Sequence, residues 1–115
     1  MTIRQLKQMT KEEFLKYPDA TEYLYNALKE SKEGHISIEK DGDPFTKEYG
    51  YTDAFGEGIS LYLSNVHRWY RTSTIQKINW EKKYFDTKNS RYHFNFVEYD
   101  PEGEDSNSIE SSDAD

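Results

Sequence analysis

Cysteine is missing from this chain of 115 residues. Without it there is no disulfide framework, no cysteine-ligated zinc or iron–sulfur centre and no thiol nucleophile. Long apolar runs are missing as well. No stretch approaches the roughly 20 apolar residues that cross a bilayer, and Met1–Thr10 has no signal-peptide core, so the chain reads as cytoplasmic. GxGxxG, P-loop, GxSxG, HExxH and EF-hand patterns do not occur. Basic residues are absent from the last stretch, 100–115, where seven acids stand alone.

The length that is present suits one domain, since single domains commonly run to roughly 100–150 residues. The formal charge of -7 belongs to the tail, because residues 1–99 hold 15 acids and 15 bases. That neutral body is itself divided: 1–58 carries twelve acids and eight bases, 59–99 three acids and seven bases. Such a field biases which partners approach and says nothing of fold. In the tail Ile109 is the one aliphatic side chain larger than alanine. Burial there cannot offset the entropy of ordering, so the expectation is a domain over 1–99 and a disordered acidic tail over 100–115. The tail reads as a solubility-promoting terminus, as an imitation of a phosphate backbone, or as a segment that folds back on the basic part of its own chain and competes with nucleic acid. It lacks the terminal aromatic found in the acidic tails of single-stranded-DNA-binding proteins.

Helical signals fill the first third. Thr10 with Glu13 is a capping-box pattern, and Pro18 ends the short helix that follows. Asp19 with Glu22 repeats the pattern, and Ala20, Leu24, Ala27, Leu28 and Ser31 keep helical spacing up to Gly34, so a longer helix is expected over about 19–33. Ile3, Leu6 and Met9 suggest a further N-terminal turn. After Gly34 the period becomes two. Ile36 and Ile38 alternate up to the Asp41-Gly42-Asp43-Pro44 turn, as do Ile59, Leu61 and Leu63, Ile78 and Trp80, and Tyr92, Phe94 and Phe96. Phe85 and Thr87 have the opposite parity to Tyr92, so turns or bulges belong near 81–83 and 88–90. The glycine-rich, aromatic stretch 45–58 has no assigned element. The predicted fold is α+β, with two N-terminal helices packed on a small, strongly twisted antiparallel β-meander of three or four strands.

Little in this pattern suggests catalysis. His35, His67 and His93 lie on separate predicted strands without metal-ligand spacing, Glu12-Glu13 serves a helix start and Asp41/Asp43 a turn, so no enzyme activity, metal or cofactor is expected. The basic, aromatic stretch 67–96 carries the binding signal. With Tyr92, Phe94 and Phe96 facing the core, Arg91, His93 and Asn95 face outward, and Lys77 and Asn79 do so beside Ile78 and Trp80. Cations suit phosphate, asparagine suits a base edge or sugar hydroxyl, and Trp69, Tyr70 or Tyr84 suit stacking on a base. A solvated sheet face shows the same alternation with no ligand. Ten tyrosines also favour a protein-binding surface, since tyrosine and tryptophan are enriched at binding hot spots.

The run Arg71-Thr72-Ser73-Thr74-Ile75-x-x-Ile78, followed by Phe85-Asp86-Thr87-Lys88-Asn89-Ser90-Arg91-Tyr92, resembles a strand–turn–strand segment of small accessory proteins of phages and other mobile elements. It covers about a fifth of the chain, and its Thr, Ser and Asn residues also suit strand ends and turns. The resemblance implies a phage or prophage protein in a bacterial cytoplasm that acts by stoichiometric binding. It would block a defence nuclease in the manner of an anti-CRISPR inhibitor, sequester a nucleotide signal or redirect a host enzyme. The alternative expectation is a nucleic-acid or nucleotide-binding module. The candidate binding residues are Trp69, Tyr70, Lys77, Asn79, Arg91, His93 and Asn95.

Overall fold

Threonine starts every helix in the computed structural model, which describes residues 1–65 and 69–98. Thr2 and Gln5 form a reciprocal capping box at the head of α1 (Ile3–Gln8), and Thr10 and Glu13 form the expected one at α2 (Lys11–Phe14). The Thr21 hydroxyl accepts from the Leu24 amide at 3.1 Å and caps α3 (Glu22–Glu30). Caps of this kind contribute about 1 kcal/mol each. Three helices therefore replace the two expected, because Ile3 and Leu6 bury a real first helix. α3 begins later than read, since Asp19 sits at φ 67 in left-handed geometry and is not the cap. It also ends earlier: the Ser31 hydroxyl donates to the Leu28 carbonyl at 2.7 Å, and the chain goes directly into a strand.

Gly34 is not a helix stop. It lies inside β1 (Ser31–Lys40) at φ 83, within the irregularity where pairing to the last strand shifts between Ser31 and Ile36. The remaining strands are β2 (Lys47–Tyr51), β3 (Ser60–Ser64), β4 (Trp69–Thr74), β5 (Lys77–Asn79), β6 (Tyr84–Asp86) and β7 (Arg91–Glu98). All pair antiparallel in one seven-stranded sheet of order β4-β3-β2-β1-β7-β6-β5, rather than the three or four strands expected. β2 escaped the sequence reading for a physical reason. Its inward positions hold Glu48 and Gly50, and its large side chains Tyr49 and Tyr51 face out, so apolar alternation gives no signal.

β1 lies at the centre of the sheet, while β4 and β5 form its edges with only Ile75 and Gln76 between them. The backbone bonds show how both edges are reached. Ile75 exchanges bonds with Ile59 and Gly58 on the β3 side, and the Gln76 amide donates to Asp86 on the β6 side, all at 2.8 Å. One peptide step thus carries the chain from one edge to the other, which requires the sheet to curl until its edges meet.

Apolar side chains fill the curl. Phe55 is fully buried and lies 5.1–6.0 Å, centroid to centroid, from Phe94, Trp80, Phe85 and Phe96. Helical Ile3, Leu6, Phe14, Leu24 and Leu28 close the core, with Phe14 edge-on to Trp80 at 5.1 Å. The N-terminus is pinned beside Phe55 by a bridge between Thr2 and Ala54. As read from the sequence, Tyr92, Phe94 and Phe96 are buried while Arg91, His93 and Asn95 are exposed. The turns also fall at 80–83, with Lys83 at φ 59, and at 88–89. The acidic tail and His67 lie outside the described residues.

Candidate functional site

Strand alternation gives the sheet an outer face, opposite the one packed on the core. Its β5–β7 half places Lys77, Asp86 and Arg91 in one transverse row and Asn79, Tyr84 and His93 in the next, continued by Glu39 and Lys47. Five of the seven candidate residues, Lys77, Asn79, Arg91, His93 and Asn95, therefore share one face. Most of their polar groups are already engaged. The Arg91 guanidinium bonds both carboxylate oxygens of Asp86 at 2.8 and 3.3 Å and lies 3.9 Å over the Tyr84 ring. The hydrogen bond to Asp86 holds the guanidinium pKa above its ordinary value. His93 Nε2 lies 3.3 Å from Asp41, Asn79 joins the Tyr84 hydroxyl to the Lys82 amide, and Lys83 donates to Asn95 at 3.1 Å.

The other half, on β1–β4, is aromatic. Tyr49, Tyr51, Tyr62 and Trp69 are 46, 47, 49 and 74% exposed. Register places His35, Tyr51, Ser64 and Trp69 in a single row across four strands. The rings support one another edge-on or tilted: His35 with Tyr51 at 5.7 Å, His35 with Tyr49 at 6.2 Å, and Tyr62 with Trp69 at 6.0 Å. Arg71, opposite Tyr62 in register, lies 5.5 Å over its ring.

A hollow of about 270 Å³ opens between Tyr51, Tyr62 and Trp69, with Ala54 and Leu63 in its lining. It exists because β2 and β3 share a single register pair, Tyr51 with Ser64. Gly50 makes that pairing possible, since a Cβ there would stand 2.3 Å from the Ser64 carbonyl oxygen.

The structure thus separates the predicted binding residues. Trp69 lies four strands from β7 along the sheet and at the end of β4 away from the Ile75–Gln76 link to β5, apart from the basic group. Tyr70 points the opposite way, half-buried against the core, with its hydroxyl 3.4 Å from that of Tyr92, so it is not a partner of Trp69 on the surface. Sequence reading missed His35, Tyr49, Tyr51 and Tyr62 as site residues. Tyr62 was accessible to it as the polar-side position between Leu61 and Leu63.

No family model, curated protein or solved structure matches this chain. Its chemistry therefore has to be argued from the geometry. Among the described residues no group of three or more histidines and carboxylates is placed to hold a metal ion, and no helix is long and apolar enough to cross a membrane. Over the whole outer face Lys47, Arg71, Lys77 and Arg91, with Lys83 at the rim, stand among Glu39, Asp86, Asp41 beside His93 and Asp53 in the lining of the hollow. Exposed rings and phenolic hydroxyls are equipment for holding a partner.

Proposed function

We propose that this chain is a non-enzymatic binding protein that holds a bacterial protein partner stoichiometrically through the aromatic half of its outer sheet face. A phage-encoded inhibitor or modulator of a host or defence protein, such as a CRISPR effector, would work in this way. The supporting observation is that Tyr49, Tyr51, Tyr62 and Trp69 stand 46–74% exposed on three adjacent strands of one face. A contiguous patch of large rings with no part in the core marks an interaction surface, and such rings supply most of the energy at hot spots. Their edge-to-face packing also holds them in place before a partner arrives, which lowers the entropy cost of binding.

The test is affinity capture from lysate of a susceptible bacterium with the wild-type chain and with a Tyr51→Ala/Trp69→Ala variant shown by circular dichroism to be folded at the capture temperature. A protein retained by the wild type, lost from the variant and reconstituted as a 1:1 complex from purified components supports the reading. Equal capture by both chains, or capture by neither, rejects it.

A second reading, nucleic-acid or nucleotide binding through Lys77, Asn79, Arg91, His93 and Asn95, draws support from their sharing one face of the sheet. Its weakness is that Asp86 already takes two bonds from Arg91 and the guanidinium covers Tyr84. Fluorescence anisotropy with a labelled single-stranded oligonucleotide tests it. Under this reading truncation before residue 100 strengthens binding at low salt, and no binding with or without the tail rejects it.

A further inference from the structure

We propose that the hollow between Tyr51, Tyr62 and Trp69, with Asp53 in its lining, is a cage for an arginine side chain presented by the protein partner. This names the partner's chemistry and rests on the functional reading above.

The register of the sheet supplies the walls. Tyr51 and Trp69 both pair with Ser64, one from each side, and Tyr62 stands two positions along β3 on the same face. The Tyr62 and Trp69 rings meet at 81° with their centroids 6.0 Å apart. Rings set nearly at a right angle turn π faces to more than one side, and the negative face of a ring is what attracts a cation. Tyr51 is held from behind, lying so close over Gly34 that a Cβ there would stand 2.2 Å from its ring, with the His35 ring edge-on at 5.7 Å. The walls are therefore in place before a ligand arrives, which lowers the cost of binding.

Charge selects the occupant. Among the described residues Asp53 is the one charged side chain in the lining. Two arginines of the chain stand nearby without lining the hollow, and both are engaged. Arg4 donates to Glu33 at 2.6 Å, while Arg71 lies 5.5 Å over the Tyr62 ring and donates to the Ser60 hydroxyl at 3.3 Å. A carboxylate among rings suits an organic cation and repels an acid. At about 270 Å³ the space is smaller than the roughly 300–1,000 Å³ of sites that enclose drug-sized molecules, so it fits the end of a side chain.

Arginine suits it better than lysine. A guanidinium is planar and weakly hydrated, and it stacks on a ring while its edge donates to a carboxylate, whereas an ammonium is compact and strongly hydrated. The other half of the face already holds this combination in cis: Arg91 lies 3.9 Å over Tyr84 and bonds both carboxylate oxygens of Asp86.

Titration of the peptide acetyl-Gly-Arg-Gly-amide into the nitrogen-15-labelled full chain tests the cage without a partner, at about 0.15 M salt to screen distant charges. The same peptide with lysine, or with the planar but neutral citrulline, is the control. The arginine peptide should give saturable shifts at the Trp69 indole and the Asp53 and Ser64 amides, with a Kd on the order of millimolar. Lysine should bind more weakly and citrulline should give no such shifts. Asp53→Asn should weaken the arginine peptide about fivefold, the upper end for an exposed ion pair.

Equal binding of citrulline, equal binding of lysine, or no saturable shift overturns the proposal, as do shifts confined to the acidic tail or to the Lys77–Arg91 half. With the captured partner, Asp53→Asn should weaken the complex by the same factor and the arginine peptide should compete. Peptide binding in a chain that captures no partner leaves the cage standing and rejects the functional reading. A partner lost on Trp69→Ala but indifferent to Asp53→Asn and to the peptide does the reverse.

Discussion

Replacing Gly34 by alanine tests the fold and the site together. At φ 83 any residue with a Cβ is strained, and the added carbon would stand 2.2 Å from Cε1 and 2.6 Å from Cδ1 of Tyr51, where ordinary contact begins near 3.4 Å. The backbone term is roughly 1–2 kcal/mol for a left-handed residue other than glycine. Tyr51 is 47% exposed, so its ring is free to swing outward by more than an ångström, but it then loses the edge contact to His35 at 5.7 Å. An aromatic pair contributes about 0.5–1.5 kcal/mol beyond its buried area.

The expected cost of Gly34→Ala is about 1.5–3.5 kcal/mol, a fall in Tm of roughly 10–20 °C for a domain of this size. In a Tyr51→Ala background the clash has gone and about 1–2 kcal/mol, the backbone term, should remain. Urea unfolding followed by Trp80 emission measures all four corners of this cycle. Equal costs in both backgrounds would refute the placement of the Tyr51 ring against Gly34, and a cost below about 0.5 kcal/mol in both would refute the positive φ.

Phe55→Ala empties the centre of the curl, where four rings meet, and should cost about 3–5 kcal/mol in denaturant unfolding. A loss under about 1 kcal/mol would show that the 45–58 segment does not enter the core. Thr21→Ala should cost about 1 kcal/mol and Thr21→Ser much less, since only the hydroxyl caps α3. Stability should also fall in acid. The hydrogen bond from Thr46 and the Phe45 amide hold the Asp43 carboxyl below its ordinary value, Arg4 does so for Glu33 and Lys11 for Glu22. A carboxylate whose folded pKa is depressed stabilises above its unfolded pKa, so Tm should be flat from neutral pH to about 5 and decline below about 4. Constant Tm to pH 2.5 would contradict these contacts.

The residues explain why some of this structure was legible in the sequence and some was not. Thr10 with Glu13 and the strict alternation of Tyr92, Phe94 and Phe96 are local signals, and tertiary structure left them intact. The seven-strand count depended on β2, whose inward side chains are an acid and a glycine, and on short β5 and β6, where three-residue strands barely show a period. Gly34 followed a helical run and so read as its stop. Its actual role is set by the ring of Tyr51, a partner 17 positions away that no local pattern reveals.

The candidate site divided in the same way. Alternation correctly put Lys77, Asn79, Arg91, His93 and Asn95 on one face. Parity also separates Trp69 from Tyr70 once the strand is placed. That the outward tyrosines of β2 and β3 would lie beside Trp69 required the strand order, which is non-local. Also beyond sequence reading was that Asp86 would pair with Arg91 and that Asp41 would lie against the His93 ring.

The central claim is that the partner sits on the aromatic half of the outer face. Calorimetric titration of the captured partner into the wild type, Trp69→Ala, Tyr62→Ala and Lys77→Ala tests it most directly. Trp69→Ala should lose about 2 kcal/mol or more of binding, roughly thirtyfold in Kd, with Tyr62→Ala intermediate and Lys77→Ala near the wild type. Trp69→Ala and Tyr62→Ala each give up the Tyr62–Trp69 ring contact and should unfold about 0.5–1.5 kcal/mol below the wild type, still folded at the titration temperature, and Lys77→Ala should stay within about 0.5 kcal/mol of it. Undiminished affinity in Trp69→Ala, with the loss falling on Lys77→Ala instead, would contradict the account.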